Sequence, residues 1–260
     1  MTREIQFEKN TCAGCKKEYN QPAVVTPFGV FLSHYCPDCV DKYDRKHKAI
    51  ENQIKDKKKK EWLKSIGVKA DYETATLGTY EAKTESQKEA LNACKLLKEG
   101  DIKKLILLGS NGVGKTHLAS ALVKLMNGKI ITAYEMFALY RSCFSGQNSE
   151  IKLLHEFSSY PLLVIDEFGR TKGSEAEENF LSAILDARHS DRLPTMILSN
   201  LIRKRDCLHY QNNKDACKQR NCKGCLEMWL TSDLISRLRE DTEVIVIEGE
   251  DYRRRATESA

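Results

Sequence analysis

The chain has 260 residues, 41% apolar and 30% charged, with a net charge of +5 at neutral pH. That length leaves room for one medium domain and a small appendage, and no apolar run is long enough to span a membrane. The first residues, Met1-Thr-Arg-Glu-Ile-Gln-Phe7, are too short and polar to open a secretory signal, so a cytoplasmic location is expected. The clustered cysteines among the ten then read as metal ligands rather than disulfides.

Cys12-x-x-Cys15 and Cys36-x-x-Cys39 each place two thiolates on a tight turn, and two such turns can close a tetrahedral S4 site suited to zinc. Val24 to Phe31, between the pairs, has the look of a small hairpin. So small a unit needs a staple to fold. Four unrelated reduced cysteines are the alternative. His34 is a possible substitute ligand, although four thiols are already present. Residues 42–64 hold ten Lys or Arg against four Asp or Glu, a balance of +6 that exceeds the whole-chain value. They read as one basic helix from Val40 to about Leu63, either a solvated linker or a contact for a polyanion.

A non-periodic connector, Ile66 to Gly78, leads to an amphipathic helix over Ser86–Glu99 with Ala90, Leu91, Cys94 and Leu97 on one face and Gly100 as its stop. Cys94 reads as core. Next comes Leu105-Ile-Leu-Leu-Gly-Ser-Asn-Gly-Val-Gly-Lys-Thr-His117, a buried strand, a glycine-rich loop and a helix start. The loop fits G-x-x-x-x-G-K-[ST] on Gly109, Gly114, Lys115 and Thr116. Gly112 and Gly114 lack a Cβ, so the backbone can turn tightly and approach phosphate oxygens. The N–H groups of Gly109, Ser110, Asn111, Gly112, Val113 and Gly114 can then cradle a nucleotide's phosphates with the helix dipole behind them. Lys115 is placed to neutralise the β and γ phosphates, and the Thr116 hydroxyl to hold Mg²⁺. His117, which follows the loop, is counted with Lys115 and Thr116 among the nucleotide-binding residues and is given no catalytic role. A chance Gly-Lys-Thr turn is the alternative.

The strand Lys129–Ala133 and a helix from Tyr134 to Cys143 follow, then a loop at 145–149 and a helix from Ile151 to Tyr160. Tyr140, Arg141 and Phe144 mix aromatic and basic character, which suits single-stranded nucleic acid or a simple core and rim. Leu162-Leu-Val-Ile-Asp166-Glu167 is a buried strand ending in two carboxylates, where ligands bind in parallel α/β sheets. Asp166 is expected to support the metal and Glu167 to position and deprotonate an attacking water. A solvated acidic turn is the alternative. Ser174 caps a helix to Ser190, and Pro194–Asn200 is a fourth strand whose Asn200 could bond the water or the γ-phosphate or simply turn the chain. The polar stretch 203–227 carries Cys207, Cys217, Cys222 and Cys225, a possible second zinc staple with His209 as a substitute ligand. A helix from Trp229 to Arg239 and a strand at Val244–Ile247 complete the pattern. Strands alternating with helices indicate an α/β fold, a P-loop NTPase with a mainly parallel five-stranded sheet.

With these residues assembled, the chain from about Ile66 onward resembles the AAA+ ATPases of the DnaC/DnaI/IstB group, the replicative helicase loaders and transposition helper ATPases. The resemblance is carried by Ala70-Asp-Tyr-Glu-Thr-Ala-Thr-Leu77, Gly109–Thr116, Leu163-Val-Ile-Asp-Glu-Phe-Gly169, Leu198-Ser-Asn200 and Leu234-Ile-Ser-Arg-Leu-Arg239. It implies that Asn200 is the sensor 1 residue, Arg237 an arginine finger reaching a neighbouring subunit's ATP, and Arg253 the sensor 2 residue. It also implies that 134–159 is an initiator-type insertion used on single-stranded DNA. The implied partners are a hexameric replicative helicase, single-stranded DNA and further copies of the chain; the cofactors are ATP, Mg²⁺ and Zn²⁺. The expected organisation is a zinc ribbon at 1–41, a basic linker helix at 42–65 and the ATPase domain at 66–260. The cysteine-bearing insertion 203–227 departs from the family pattern. The rivals are an IstB-like transposition helper on duplex DNA, a small-molecule P-loop kinase, and a zinc-ribbon regulator with a vestigial ATPase.

Overall fold

The computed structural model describes residues 7–22, 24–26, 29–31, 33–170, 173–203, 225 and 241–252. The chain divides between Trp62 and Leu63 into two compact units.

The first unit holds two antiparallel hairpins, β1 (Phe7–Thr11) with β2 (Glu18–Pro22) and β3 (Val24–Thr26) with β4 (Gly29–Phe31). The second is the hairpin expected from the sequence; the first was not anticipated. Helix α1 (Pro37–Ser65) begins three residues earlier than expected, with proline in its first turn, where a missing N–H costs nothing. Every residue from Val40 to Trp62 is exposed.

The second unit is built on β5 (Lys104–Gly109), β6 (Lys129–Thr132), β7 (Leu163–Phe168), β8 (Thr195–Ser199) and β9 (Thr242–Ile247). Their order is β6-β7-β8-β5-β9, and every pairing is parallel. The expected mainly parallel five-stranded sheet is therefore present. Both faces of the sheet are covered, which is why its strands read as continuous apolar runs rather than alternating ones. Alternate residues serve opposite cores. Leu105, Leu107, Val164, Met196 and Leu198 pack with α2 (Glu85–Glu99) and α3 (Lys115–Met126). Ile106, Leu108, Leu163, Ile165 and Ile197 pack with α4 (Ala133–Phe144), α5 (Glu150–Ser159) and α6 (Glu175–Ser190). Cys94 is fully buried in the first of these cores, as expected, and burial pushes its thiol up to about 12.

Local chemistry sets the helix ends. Thr84, Thr132 and Ser174 each accept the N–H of the residue three further on, and Gln87, Glu135 and Glu177 reciprocate. Thr132 thus ends β6 and caps α4 at once, so the strand is one residue shorter than expected. Arg188 does the equivalent at a C-terminus. Its buried guanidinium donates to the carbonyls of Phe157 at 3.0 Å, Ser158 at 3.2 Å and Tyr160 at 2.8 Å, the end of α5. It also holds Thr195 Oγ1 at 3.0 Å and the Pro194 carbonyl, tying α5 and α6 to the start of β8.

Candidate nucleotide site

The C-terminal ends of β5, β7 and β8 converge beside the point where the chain order reverses around β5, the usual crevice of open α/β sheets. β5 ends at Gly109, and the loop to Gly114 delivers Lys115 to the start of α3. Gly112 has φ +78° and Gly114 φ +100°, left-handed values that favour glycine. A Cβ on Gly112 would lie 1.7 Å from an Asp251 oxygen, and one on Gly114 2.5 Å from the Tyr80 ring. The close approach that these glycines permit is thus made here by the segment after β9 and by the connector.

Lys115 is buried, and its Nζ donates to the carbonyls of Gly109 and Ser110 at 2.7 Å each and to Asn200 Oδ1 at 2.9 Å. The Asn200 amide in turn donates to Asn111 Oδ1 at 2.9 Å. Thr116 Oγ1 donates to Asp166 Oδ2 at 3.1 Å, and the Glu167 N–H to Asp166 Oδ1 at 2.7 Å. Lys115, Thr116, Asp166, Glu167 and Asn200 therefore share one open cleft of about 1410 Å³. Burial pushes the Asp166 carboxyl above the usual carboxylate range, against the opposing pull of the Glu167 N–H and Thr116.

The placing of the two carboxylates has a backbone cause. Between Ile165 and Phe168 the ladder to β8 slips, three residues of β7 spanning two of β8, and Glu167 takes φ +54°. A strictly alternating strand would send Asp166 and Glu167 to opposite faces. The bulge re-aims them into the same cleft. Ser199 supports it from below: its hydroxyl donates to the Phe168 carbonyl at 2.6 Å and accepts the Leu201 N–H at 3.0 Å.

His117 fastens the connector rather than the phosphate loop. Its Nε2 lies 3.0 Å from the Thr76 carbonyl and 3.3 Å from Thr79 Oγ1. Tyr80 packs beside it, ring centroids 5.6 Å apart, and its hydroxyl donates to the Val113 carbonyl at 3.2 Å. Burial pushes the Tyr80 phenol up to about 12. Thr76, Thr79, Tyr80 and Ser199 were all missed as site residues.

In the first unit Cys12, Cys15, Cys36 and Cys39 converge, their sulfurs all within 4.8 Å of one another. Cys15 and Cys36 sulfurs are 3.6 Å apart, close to the ~3.8 Å edge of a tetrahedron with zinc–sulfur bonds of about 2.3 Å. The N–H groups of Cys15 and Cys36 pull the Cys12 thiol down to about 6, whereas hydrogen bonding to the Cys12 and Cys36 sulfurs pushes Cys39 up to about 12. Four thiols this close cannot all ionise without a cation among them, so the donor set fits zinc. His34 is exposed and contributes only its carbonyl, which takes the Ala13 N–H at 2.8 Å.

Other expectations divide. Tyr140 is a core residue, stacked on Phe180 at 4.6 Å between centroids, which removes it from any nucleic-acid surface. Arg141 pairs with Glu177 and lies over the Tyr134 ring, and Phe144 is 72% exposed. Cys225 is buried and bridges to Ile202; Cys207, His209, Cys217, Cys222, Arg237, Arg253 and the 229–239 helix lie outside the described residues. Among the described residues no helix is long and apolar enough to cross a membrane.

Known proteins resemble this chain over much of its length. The family model of the IstB-like ATP-binding proteins matches residues 41–216, more than half of the chain. The replicative helicase loader DnaC of Buchnera aphidicola from Acyrthosiphon pisum is 32% identical over 166 residues, covering 60% of this chain and 68% of that protein. DnaC of Escherichia coli K12 is 31% identical over 161 residues, covering 58% of this chain and 66% of that protein. A crystal structure of the DnaC helicase loader superposes with a TM-score of 0.53 at 24% identity, covering 69% of this chain and all of that one, a likeness of fold.

Proposed function

Because the chain belongs to the IstB-like ATP-binding protein family, within the DnaC/DnaI/IstB group of AAA+ ATPases, we propose that it is an ATP-dependent loader of a replicative DNA helicase. The observation that carries an ATP-driven role is the convergence of Lys115, Thr116, Asp166, Glu167 and Asn200 on one cleft. The relatives named as helicase loaders support the choice of partner.

On this reading the loop from Gly109 to Thr116 binds the phosphates, and Lys115 exchanges its carbonyl partners for phosphate oxygens. Asn200, released from Lys115, senses the terminal phosphate. Thr116 and Asp166 would hold magnesium, which supplies charge neutralisation on the phosphates when bound; their hard oxygens suit that cation. Glu167 orients and deprotonates the attacking water. Arg237 completes the site of a neighbouring copy and Arg253 acts on the chain's own nucleotide, so hydrolysis depends on assembly. The four-cysteine ribbon, residues 1–41, holds zinc and with the basic helix 42–65 docks the helicase, while the ATPase domain, 66–260, touches single-stranded DNA through the exposed Phe144 and Arg141.

The test is affinity capture from host lysate with the Glu167→Gln protein and ATP. Recovery of the replicative helicase, lost when residues 1–64 are deleted, is the expected result. The family model's own name favours a second reading, an IstB-like transposition helper on duplex DNA. Recovery of a transposase, or ATP-dependent filaments on duplex DNA without helicase, would replace the loader with that reading.

A further inference from the structure

The Glu167 carboxylate accepts a hydrogen bond from the Arg170 guanidinium at 2.9 Å. The two residues are the first and last of a four-residue turn closed by the Arg170 N–H on the Glu167 carbonyl at 3.1 Å. Gly169, third in the turn, has φ +83°, the sign that a type II turn requires at that position. A Cβ there would lie 2.2 Å from Leu201 Cδ1, so the turn is also seated against the chain leaving β8. The β7 bulge fixes one end of the turn and Gly169 the other. Backbone geometry therefore brings the pair together, rather than a chance meeting of two long side chains. Both side chains line the cleft that holds Lys115 and Asn200.

A carboxylate that serves as a base needs a lone pair free to meet the water. The Arg170 contact takes one of the lone-pair sites of the carboxylate and biases the orientation of the whole group. We infer that Arg170 is a positioning residue that keeps Glu167 in reserve and so slows ATP hydrolysis by the chain alone. The inference rests on the reading of Glu167 as the base. The Arg170 side chain is 74% exposed and that of Glu167 36%, so the restraint is weak by nature. Releasing an exposed pair of this kind corresponds to about a two- to fivefold change in a rate. Salt should release it as well, because exposed charges are screened within about 3 Å at molar ionic strength.

The experiment is steady-state ATP hydrolysis by the full chain at low and high sodium chloride, comparing wild type with Arg170→Ala, Arg170→Lys and Glu167→Gln. Arg170→Ala should raise kcat about two- to fivefold at low salt and leave the KM for ATP unchanged. The ratio to wild type should fall toward one at high salt. Arg170→Lys, which keeps the charge but not the planar fork, should fall between the two. A kcat that falls or stays constant in Arg170→Ala, or a ratio indifferent to salt, overturns the inference. Glu167→Gln separates the premise from the inference: if it retains full turnover, Glu167 is not the base and the role of Arg170 falls with it.

Discussion

The two units of this chain solve the problem of burial in opposite ways. In the sheet unit, two apolar layers sandwich a parallel sheet, and the charged groups of the cleft are carried on strand ends that the core already holds. In the first unit Cys12 and Cys36 are buried. There the prospective ligands themselves supply buried side chains. One unit has a fold that positions a site, and the other has a site that makes a fold. The contrast teaches where ligand loss should be felt: as lost chemistry in the sheet unit and as lost structure in the ribbon.

The sharpest way to break that comparison is to take the metal away from the ribbon. Structural zinc contributes about 10–16 kcal/mol to units of this kind. Cys36→Ser should remove the zinc, measured by elemental analysis, and abolish amide protection in β1 and β2. The melting temperature of the sheet unit and its nucleotide affinity should remain as in the wild type. A ribbon that stays protected without metal would show that it has a core of its own.

A smaller effect is expected from Arg188→Met, which attacks the sheet unit through packing rather than through its site. The guanidinium holds four carbonyls and a hydroxyl, and removing it takes the donor from the carbonyls of Phe157, Ser158 and Tyr160, while the Pro194 carbonyl keeps the Leu163 N–H at 3.2 Å. Urea unfolding of the sheet unit should lose about 3–5 kcal/mol, with zinc content unchanged. Lys115→Ala should act chiefly on the site, weakening ATP binding about 10- to 100-fold in a calorimetric titration at a cost of only about 1–3 kcal/mol in stability.

The smallest effect is the most specific. The Asp166 carboxyl is raised in the folded state by burial, so the neutral form is favoured there. Its contribution to stability is fully present below the unfolded value of 3.8 and is lost as pH rises through the higher folded value. Asp166→Asn should therefore stabilise the nucleotide-free protein at neutral pH by about 1 kcal/mol, read by urea unfolding, while hydrolysis disappears. The same gain at pH 3 would contradict the linkage.

The phosphate loop, the Asp166–Glu167 strand end and the Ser174 cap were legible because each is a local pattern with a local cause, whereas the capping boxes at Thr84 and Thr132 were not read. The cysteine pairs were legible for the same reason. The β7 bulge was not, because alternation along Leu163–Phe168 gives no sign that Glu167 adopts a left-handed backbone. Arg188 was equally hidden, since its carbonyl partners on α5 lie 28 to 31 residues away in sequence. Tyr140 was left open between core and nucleic-acid surface for a related reason: helical spacing places it beside Arg141 and Phe144, and only the packing of α4 on α6 shows that it faces Phe180. The latch from His117 to Thr76 and Thr79 joins two stretches that look unrelated until the connector folds back over α3.

The most direct test of the loader reading is mass photometry of the purified full chain with the host's replicative helicase, comparing ATP with ADP. A discrete complex of helicase with several copies of the chain, formed by Glu167→Gln with ATP and lost in Cys36→Ser, is the predicted result. Absence of any complex in all nucleotide states, with assembly on duplex DNA instead, would contradict it.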